Sequence, residues 1–113
     1  MKSKILALSK NEEFKDLLKK RKVNNKYVTI FFGHLKNKNT NKLNISFVTK
    51  KKIGNAVKRN KIKRRLKSII NEAIKKISIK FNYSYLVIAK PTMLNNEYTN
   101  IKETLFQEFI KIR

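Results

Sequence analysis

The sequence predicts an α+β protein in which helices pack on one sheet. Three observations support this class: two segments rich in β-branched and aromatic residues lie before residue 50, a long amphipathic segment follows them, and a third apolar run precedes a final amphipathic segment. With a short helix at the start, the order helix, strands, helix, strand, helix indicates an α+β or split βαβ sandwich. At 113 residues, of which 41% are hydrophobic, the whole chain 1–113 is expected to form a single domain.

The first half of the chain is expected to hold one short helix and two strands. An acidic first turn followed by apolar residues at helical spacing predicts an amphipathic helix from Asn11 to about Lys20. The segment Tyr27–Leu35 is dense in Val, Thr, Ile and Phe, which is typical of a strand. The segment Leu43–Thr49 alternates apolar and polar residues in its first half and indicates a second strand.

The second half is expected to form a long helix, a buried strand and a last helix. Asn55 is a good N-cap, and the apolar residues that follow it form a single stripe, so a helix is expected over Ala56–Ile77. The nearly continuous apolar run Tyr83–Ala89 suits a buried strand, which Pro91 would end. Apolar residues at helical spacing predict an amphipathic helix over Tyr98–Ile112.

The charge of the chain indicates a polyanionic partner. There are 29 lysines and arginines against 7 acidic residues, a formal net charge of +22. Ten cations fall within Lys50–Lys67, and no acid lies between Leu17 and Asn71. Cations in the first turn of a helix oppose its macrodipole by about 0.3 kcal/mol or more each, and a bound polyanion offsets that cost. Nucleic acid or an anionic membrane surface is the expected partner.

The chain offers no obvious catalytic or metal site of its own. It has no cysteine, its acids lie in separate segments, and no metal-ligand spacing is present. His34 is the only histidine and is expected to be a surface residue at a strand end. The apolar runs are shorter than the ~20 residues of a membrane span and no signal-peptide core is present, so a cytoplasmic location is expected.

The segment Gly54–Lys67 resembles the Arg-Asn-Arg helix of the protein component of bacterial ribonuclease P. The family pattern is G-N-A-V-x-R-N-R-x-K-R-x-x-R, and this chain has G-N-A-V-K-R-N-K-I-K-R-R-L-K. Lys61 and Lys67 stand where the family usually has arginine, so the charge is kept but the bidentate geometry is lost. The lead-in Lys50–Ile53 and the N-terminal segment Leu8–Phe14 are also similar to the family.

The resemblance implies a fold and a function. The implied fold is an α-β-β-β-α-β-α sandwich similar to the second domain of ribosomal protein S5, with a left-handed β-α-β crossover around the basic helix. The implied function is that of the protein subunit of a ribonucleoprotein nuclease, an endoribonuclease (a hydrolase) that removes the 5′ leader of precursor tRNA during tRNA processing. The chemistry would lie in the catalytic RNA subunit, with Mg²⁺ held mainly by RNA and no cofactor bound by the protein alone.

Two RNA contacts are therefore expected. The first is a basic surface for the catalytic RNA, formed by Lys51, Lys52, Asn55, Lys58, Arg59, Asn60, Lys61, Lys63, Arg64, Arg65 and Lys67. The second is a cleft for the leader of precursor tRNA, formed by Phe14, Leu18, Tyr27 and Phe31. Phe14 matches the family's first cleft aromatic, and Leu18 stands where a second is often found. Alternation places Tyr27 and Phe31 on one face of their strand, and the sequence leaves open which face lines the cleft.

Other readings give different expectations. A structural, ribosomal-type RNA-binding protein would share the charge and size but would not need a leader cleft. DNA binding is disfavoured because no short helix-turn-helix pair precedes the basic helix. Membrane binding is disfavoured because that helix needs its aliphatic stripe for the core. Phe14 could also do no more than dock the first helix on the sheet.

Overall fold

A computed structural model describes residues 5–8, 11–36 and 41–112 of the chain. Short 3₁₀ turns at Lys51–Ile53 and Pro91–Leu94 precede the second and third helices. In chain order the strands and helices are β1 (Ile5–Leu6), α1 (Asn11–Leu18), β2 (Arg21–Asn24), β3 (Val28–Gly33), β4 (Leu43–Val48), α2 (Ala56–Lys76), β5 (Ser84–Ala89) and α3 (Tyr98–Lys111).

The five strands form one mixed sheet with the order β1-β4-β5-β3-β2. Strands β1, β4 and β5 run parallel, whereas β3 is antiparallel to β5 and β2 is antiparallel to β3. Helix α2 connects the neighbouring parallel strands β4 and β5, which makes a β-α-β unit at the centre of the fold. The expected α+β class and the order α-β-β-β-α-β-α are confirmed, with the two-residue β1 added at the start.

The larger core lies between the sheet and the helices α2 and α3. Alternate β3 residues, Val28, Ile30 and Phe32, face this core together with the apolar stripe of α2. Burial of a leucine or isoleucine side chain contributes about 1.5–3 kcal/mol, so the α2 stripe anchors the helix firmly. Tyr85 packs at the centre of this core, and its hydroxyl donates a 2.8 Å hydrogen bond to the carbonyl of Lys80. Burial raises the pKa of the Tyr85 hydroxyl, which therefore stays neutral.

A smaller core lies on the opposite face, under α1. Leu17 is fully buried there against Leu86, and Phe14 and Phe31 pack around them in half-buried positions. Helix α1 has only eight residues, a length of about 12 Å, whereas five strands span about 19 Å. The short helix therefore leaves part of this sheet face uncovered.

The sequence did not identify β2. Its four residues, Arg-Lys-Val-Asn, include one apolar side chain, so they carry no alternating pattern. The strand forms because it lies at the sheet edge, where exposed cations are tolerated and discourage pairing with other chains. Helix α1 also ends earlier than expected, at Leu18, and its last carbonyls accept bonds from the amides of Lys19 and Lys20 in a turn.

The start of α2 depends on two residues. Asn55 is the N-cap, and its side-chain oxygen accepts a hydrogen bond from the Lys58 amide at 3.0 Å, as its sequence position predicted. Gly54 has a φ of +150°, a conformation that is strained for other residues. A Cβ on Gly54 would also lie 2.8 Å from Cδ of Lys58. Gly54 therefore allows the sharp turn that directly precedes α2.

We expect Gly54→Ala to lower the free energy of unfolding by about 1–3 kcal/mol, because alanine adopts this φ only with strain. Gly33→Ala is the matched control. Gly33 does not have this strained φ, and the atoms that its Cβ would meet belong to the flexible side chain of Lys20. Urea unfolding followed by circular dichroism measures both changes. Equal losses at the two glycines would contradict the role assigned to the Gly54 turn.

Candidate nucleic-acid interface

The face of α2 opposite its apolar stripe is a row of exposed cations. Ile62, Leu66 and Ile69 are fully buried under the helix. Their orientation directs the outer residues into solvent, as predicted, and the exposed set is Lys58, Asn60, Lys61, Lys63, Arg64 and Lys67. Among the described residues, an ion pair joins Lys102 to Glu72, away from this row, and none joins a cation of the row to an acidic side chain. The cations of the row are thus not neutralised by acidic side chains.

Two arginines of the basic segment are placed differently from the rest. Arg59 is half-buried, and its Nε is buried with no hydrogen-bond partner. Arg65 points along the opposite flank of α2, where its Nη1 donates to the carbonyls of Met93 at 3.3 Å and Asn96 at 3.2 Å. Arg65 is half-buried and lies outside the exposed row. Its place beside Leu66 turns it towards the 3₁₀ turn before α3, and there it ties α2 to that turn.

The segment before α2 adds further cations to the same end of the molecule. Lys51 and Lys52 are exposed on the 3₁₀ turn that ends β4, while Ile53 is buried and anchors the turn. The Asn55 side-chain oxygen serves as the helix cap. Asn55 therefore contributes to the site mainly by fixing where α2 begins.

A groove of about 410 Å³ lies beside α2. It combines cations of α2, an aromatic residue of α1 and the outer strand residues of the sheet. Its lining residues are Ile5, Ala7, Phe14, Ile45, Ser46, Phe47, Val48, Lys63, Arg64 and Lys67.

The groove exists because β1 is short. Strand β1 pairs with β4 at Leu43 and Asn44, and beyond those residues no strand of the described ranges 5–8, 11–36 and 41–112 pairs with the outer edge of β4. The chain then leaves the sheet, and the Leu8 amide donates a 2.8 Å hydrogen bond to the hydroxyl of Ser46. Residues from both faces of β4 reach the groove, which therefore passes around the sheet edge from α1 to α2.

The residues expected to form the leader cleft are partly brought together. Phe14 lines the groove and is half-buried, and Leu18, one helical turn later, is 48% exposed. Phe31 lies on the same sheet face as α1, with the Lys22 ammonium 5.9 Å from its ring centre. The open question of strand faces is thus settled for β3, because Phe31 faces α1 and Phe32 faces α2.

Tyr27 does not belong to the cleft. It is 4% exposed and packs in the larger core, with its hydroxyl donating to Oδ1 of Asn96 at 3.4 Å. Alternation from Phe31 predicted the other face. It fails because Tyr27 precedes β3 and belongs to a turn, in which the amides of Tyr27 and Val28 both donate to Oδ1 of Asn25.

Six groove residues were not identified from the sequence: Ile5, Ala7, Ile45, Ser46, Phe47 and Val48. One signal was available, since the alternation of β4 breaks at the consecutive apolar pair Phe47 and Val48. Both residues are half-buried, although each lies on a different face of the sheet. A strand with apolar residues on both faces and incomplete burial on each is typical of an edge that lines a site.

The described ranges contain no group of three His, Asp or Glu residues that could hold a metal ion. Nor does any helix within those ranges combine the length and the apolar character needed to cross a membrane.

The exposed basic helix, the groove and the α+β sheet define a class: a small RNA-binding protein that presents cations on one helix and an aromatic ring beside them. The family profile described as Ribonuclease P matches residues 3–113, and the chain belongs to this family. It is accordingly the protein subunit of the endoribonuclease holoenzyme that processes the 5′ ends of tRNA, and its partner is the RNA of that enzyme.

Individual relatives agree with this membership. The ribonuclease P protein component of Carboxydothermus hydrogenoformans is 36% identical over 107 residues, covering 91% of this chain and 87% of that protein. A structure of a Staphylococcus aureus RNase P protein mutant is 26% identical, with a TM-score of 0.78 and coverage of 94% and 86%. The RNase P protein from Thermotoga maritima, at 19% identity, shares the fold with a TM-score of 0.80 and coverage of 96% and 98%.

We expect the simultaneous change of Lys61, Arg64 and Lys67 to alanine to leave the fold intact and to weaken binding of the enzyme's RNA. Each lost phosphate contact should flatten the plot of log affinity against log salt by about 0.7–0.9, or about 2–3 in total. The change of Lys19, Lys26 and Lys111, all exposed and outside α2, to alanine is the charge-matched control and should leave the slope nearly unchanged. Equal slopes for the two variants, both folded by circular dichroism, would place the RNA contact elsewhere.

Proposed function

We propose that the outer face of α2 binds the catalytic RNA and that the groove beside it receives the single-stranded 5′ leader of precursor tRNA. The observation that carries this proposal is that Phe14 lines the same groove as Lys63 and Lys67. A flat ring next to cations is the combination that binds single-stranded RNA, because bases stack on the ring and phosphates approach the cations.

The dimensions of the groove support a role in ligand binding. Its volume of about 410 Å³ lies within the ~300–1,000 Å³ of typical ligand sites. The strand residues that line it include the apolar Phe47 and Val48, and the α2 residues that line it are cations. A nucleotide seated there would meet apolar surface on its base and positive charge on its phosphate.

In this proposal the cations of the basic segment contact two RNAs. Those that line the groove contact the leader, and those on the outer face of α2 contact the catalytic RNA. Lys63 faces the groove and the leader. Lys58 and Lys61 lie outside the groove lining and are left for the catalytic RNA. Arg64 and Lys67 line the groove next to the outer face and can contact both RNAs.

The chemistry of cleavage is assigned to the RNA subunit, with Mg²⁺ held mainly by RNA. The protein's part is to supply positive charge, which replaces counterions that folded RNA otherwise takes from solution. A single domain over residues 1–113 and a cytoplasmic location complete the proposal. Both follow from the size of the chain and the family to which it belongs.

We expect Phe14→Leu to lower the ratio of precursor to mature tRNA affinity in the assembled holoenzyme by about fivefold or more, since a stacked base is worth ~1–3 kcal/mol. Leu18→Phe should raise the ratio, because it adds a ring one helical turn away on the exposed side of α1. Equilibrium binding of matched precursor and mature tRNAs measures the ratio.

Phe106→Leu is the control for this pair, since it removes a half-buried ring from α3, away from the groove. It should leave the ratio unchanged. If Phe14 only packed α1 against the sheet, Phe14→Leu would lower the melting temperature of the protein and weaken the binding of precursor and mature tRNA equally. A ratio unaffected by both α1 changes would refute leader stacking.

We expect the protein to lower the Mg²⁺ concentration at which its catalytic RNA reaches half-maximal cleavage, and to cleave no precursor tRNA when RNA is absent. The Lys61, Arg64 and Lys67 alanine variant should lose this effect, whereas the Lys19, Lys26 and Lys111 variant should keep it. The measurement is the cleavage rate across a Mg²⁺ series. Cleavage by the protein alone that survives repurification and ribonuclease inhibitors would contradict the division of labour.

A further inference from the structure

A second cluster of aromatic and basic side chains lies at the end of the sheet where β2 and β5 begin and β3 ends. We define it as the distal patch, formed by Arg21, His34, Lys80 and Tyr83. We propose that the distal patch binds an unpaired nucleotide of RNA, at a site separate from the groove and from the outer face of α2.

The aromatic part of the patch is built by His34 and Tyr83. The two rings meet edge to face, with their centroids 4.7 Å apart and their planes at 61°. His34 is exposed, and its Nδ1 lies 3.1 Å from the carbonyl oxygen of Asn82. A carbonyl only accepts, so Nδ1 donates to it, and Nε2 is left for another hydrogen-bond partner. The patch thus offers a fixed ring together with a hydrogen-bonding atom suited to a base edge.

The rings are held rigidly from below. Tyr83 is half-buried and packs on Phe32, with centroids 5.6 Å apart, and Phe32 is 1% exposed in the larger core. Tyr83 also contacts Tyr85 at 6.4 Å. A ring fixed in this way loses little conformational entropy when a base stacks on it, which favours binding over an equally exposed but mobile side chain.

Cations surround these rings. The Lys80 ammonium lies 6.0 Å from the Tyr83 ring centre, and the Arg21 guanidinium lies 4.8 Å from that of Phe32. The sequence holds no acid between Leu17 and Asn71 or between Ala73 and Asn96, the segments that supply the patch. The local field therefore attracts phosphate.

The patch is too far from the groove to belong to it. The strands that line the groove are β1 and β4, whereas His34 follows β3 and Arg21 begins β2, which lie two and three strands away from β4. Neighbouring strands are about 4.8 Å apart, so these positions are about 10 and 14 Å from β4. None of the patch residues lines the groove. Packing of Tyr83 on the core would explain its ring alone, but not an exposed histidine and two cations beside the rings.

His34 allows a direct test, because it is the only histidine and its ring gives a single pair of carbon-bound proton NMR signals. The probe is an unstructured ten-nucleotide RNA titrated into the full chain. We expect the His34 signals to shift in the wild type and also in the variant with Lys61, Arg64 and Lys67 changed to alanine. Signals that stay fixed at saturating RNA, or that move only when α2 is intact, would overturn the proposal.

Affinity measurements then identify which RNA supplies the nucleotide. The double variant His34→Ala, Lys80→Gln should weaken binding of either the catalytic RNA or precursor tRNA about fivefold or more. Lys26→Gln is the control for the loss of one positive charge. Weaker binding of the catalytic RNA would assign the patch to that RNA. A lower ratio of precursor to mature tRNA affinity would assign it to the leader. Unchanged values for both, with the variant folded, would overturn the proposal and leave the groove assignment untouched.

Discussion

The burial of one face of α2 against the sheet is the interaction on which the rest of the structure depends. That burial must outweigh the mutual repulsion of cations three and four residues apart, such as Lys61 with Arg64 and Lys63 with Lys67. Each like-charge pair costs about 0.2–0.5 kcal/mol, whereas each buried aliphatic side chain of the stripe contributes about 1.5–3 kcal/mol. The five residues of α2 that are buried therefore dominate, and the helix stays formed with its charges exposed.

The same packing decides where function can lie. Because the stripe fixes the rotation of α2 about its own axis, Lys63 and Lys67 fall on the side of the helix that overhangs β4. The shortness of β1 then opens the edge of β4 at that position, and α1 brings Phe14 from the other face of the sheet. Three unrelated local features thus converge on one groove, and α2 is the element that the other two meet.

Much of this arrangement follows from the sequence, and the parts that do not have physical reasons. The stripe of α2, its cap at Asn55 and the exposure of its cations were predicted because they arise from helical periodicity and local hydrogen bonds. The strand β2 was not, since an edge strand is held by pairing with β3 rather than by an apolar pattern. The position of Tyr27 depends on the turn at Asn25. The position of Arg65 depends on the carbonyls of Met93 and Asn96, which are 28 and 31 residues away in the sequence. Such long-range contacts leave no periodic trace.

The unneutralised charge of α2 also links the stability of the chain to its partner. In the free protein the cations repel one another across solvent, and the basic segment contains no acidic residue that would reduce this repulsion. A polyanion bound along the helix removes that repulsion and binds only the folded form, so it stabilises the fold by mass action. The unassembled chain is consequently the less stable form and opens more often to proteolysis. The cations that mark the interface therefore also make the folded lifetime of the subunit depend on the amount of RNA available to it.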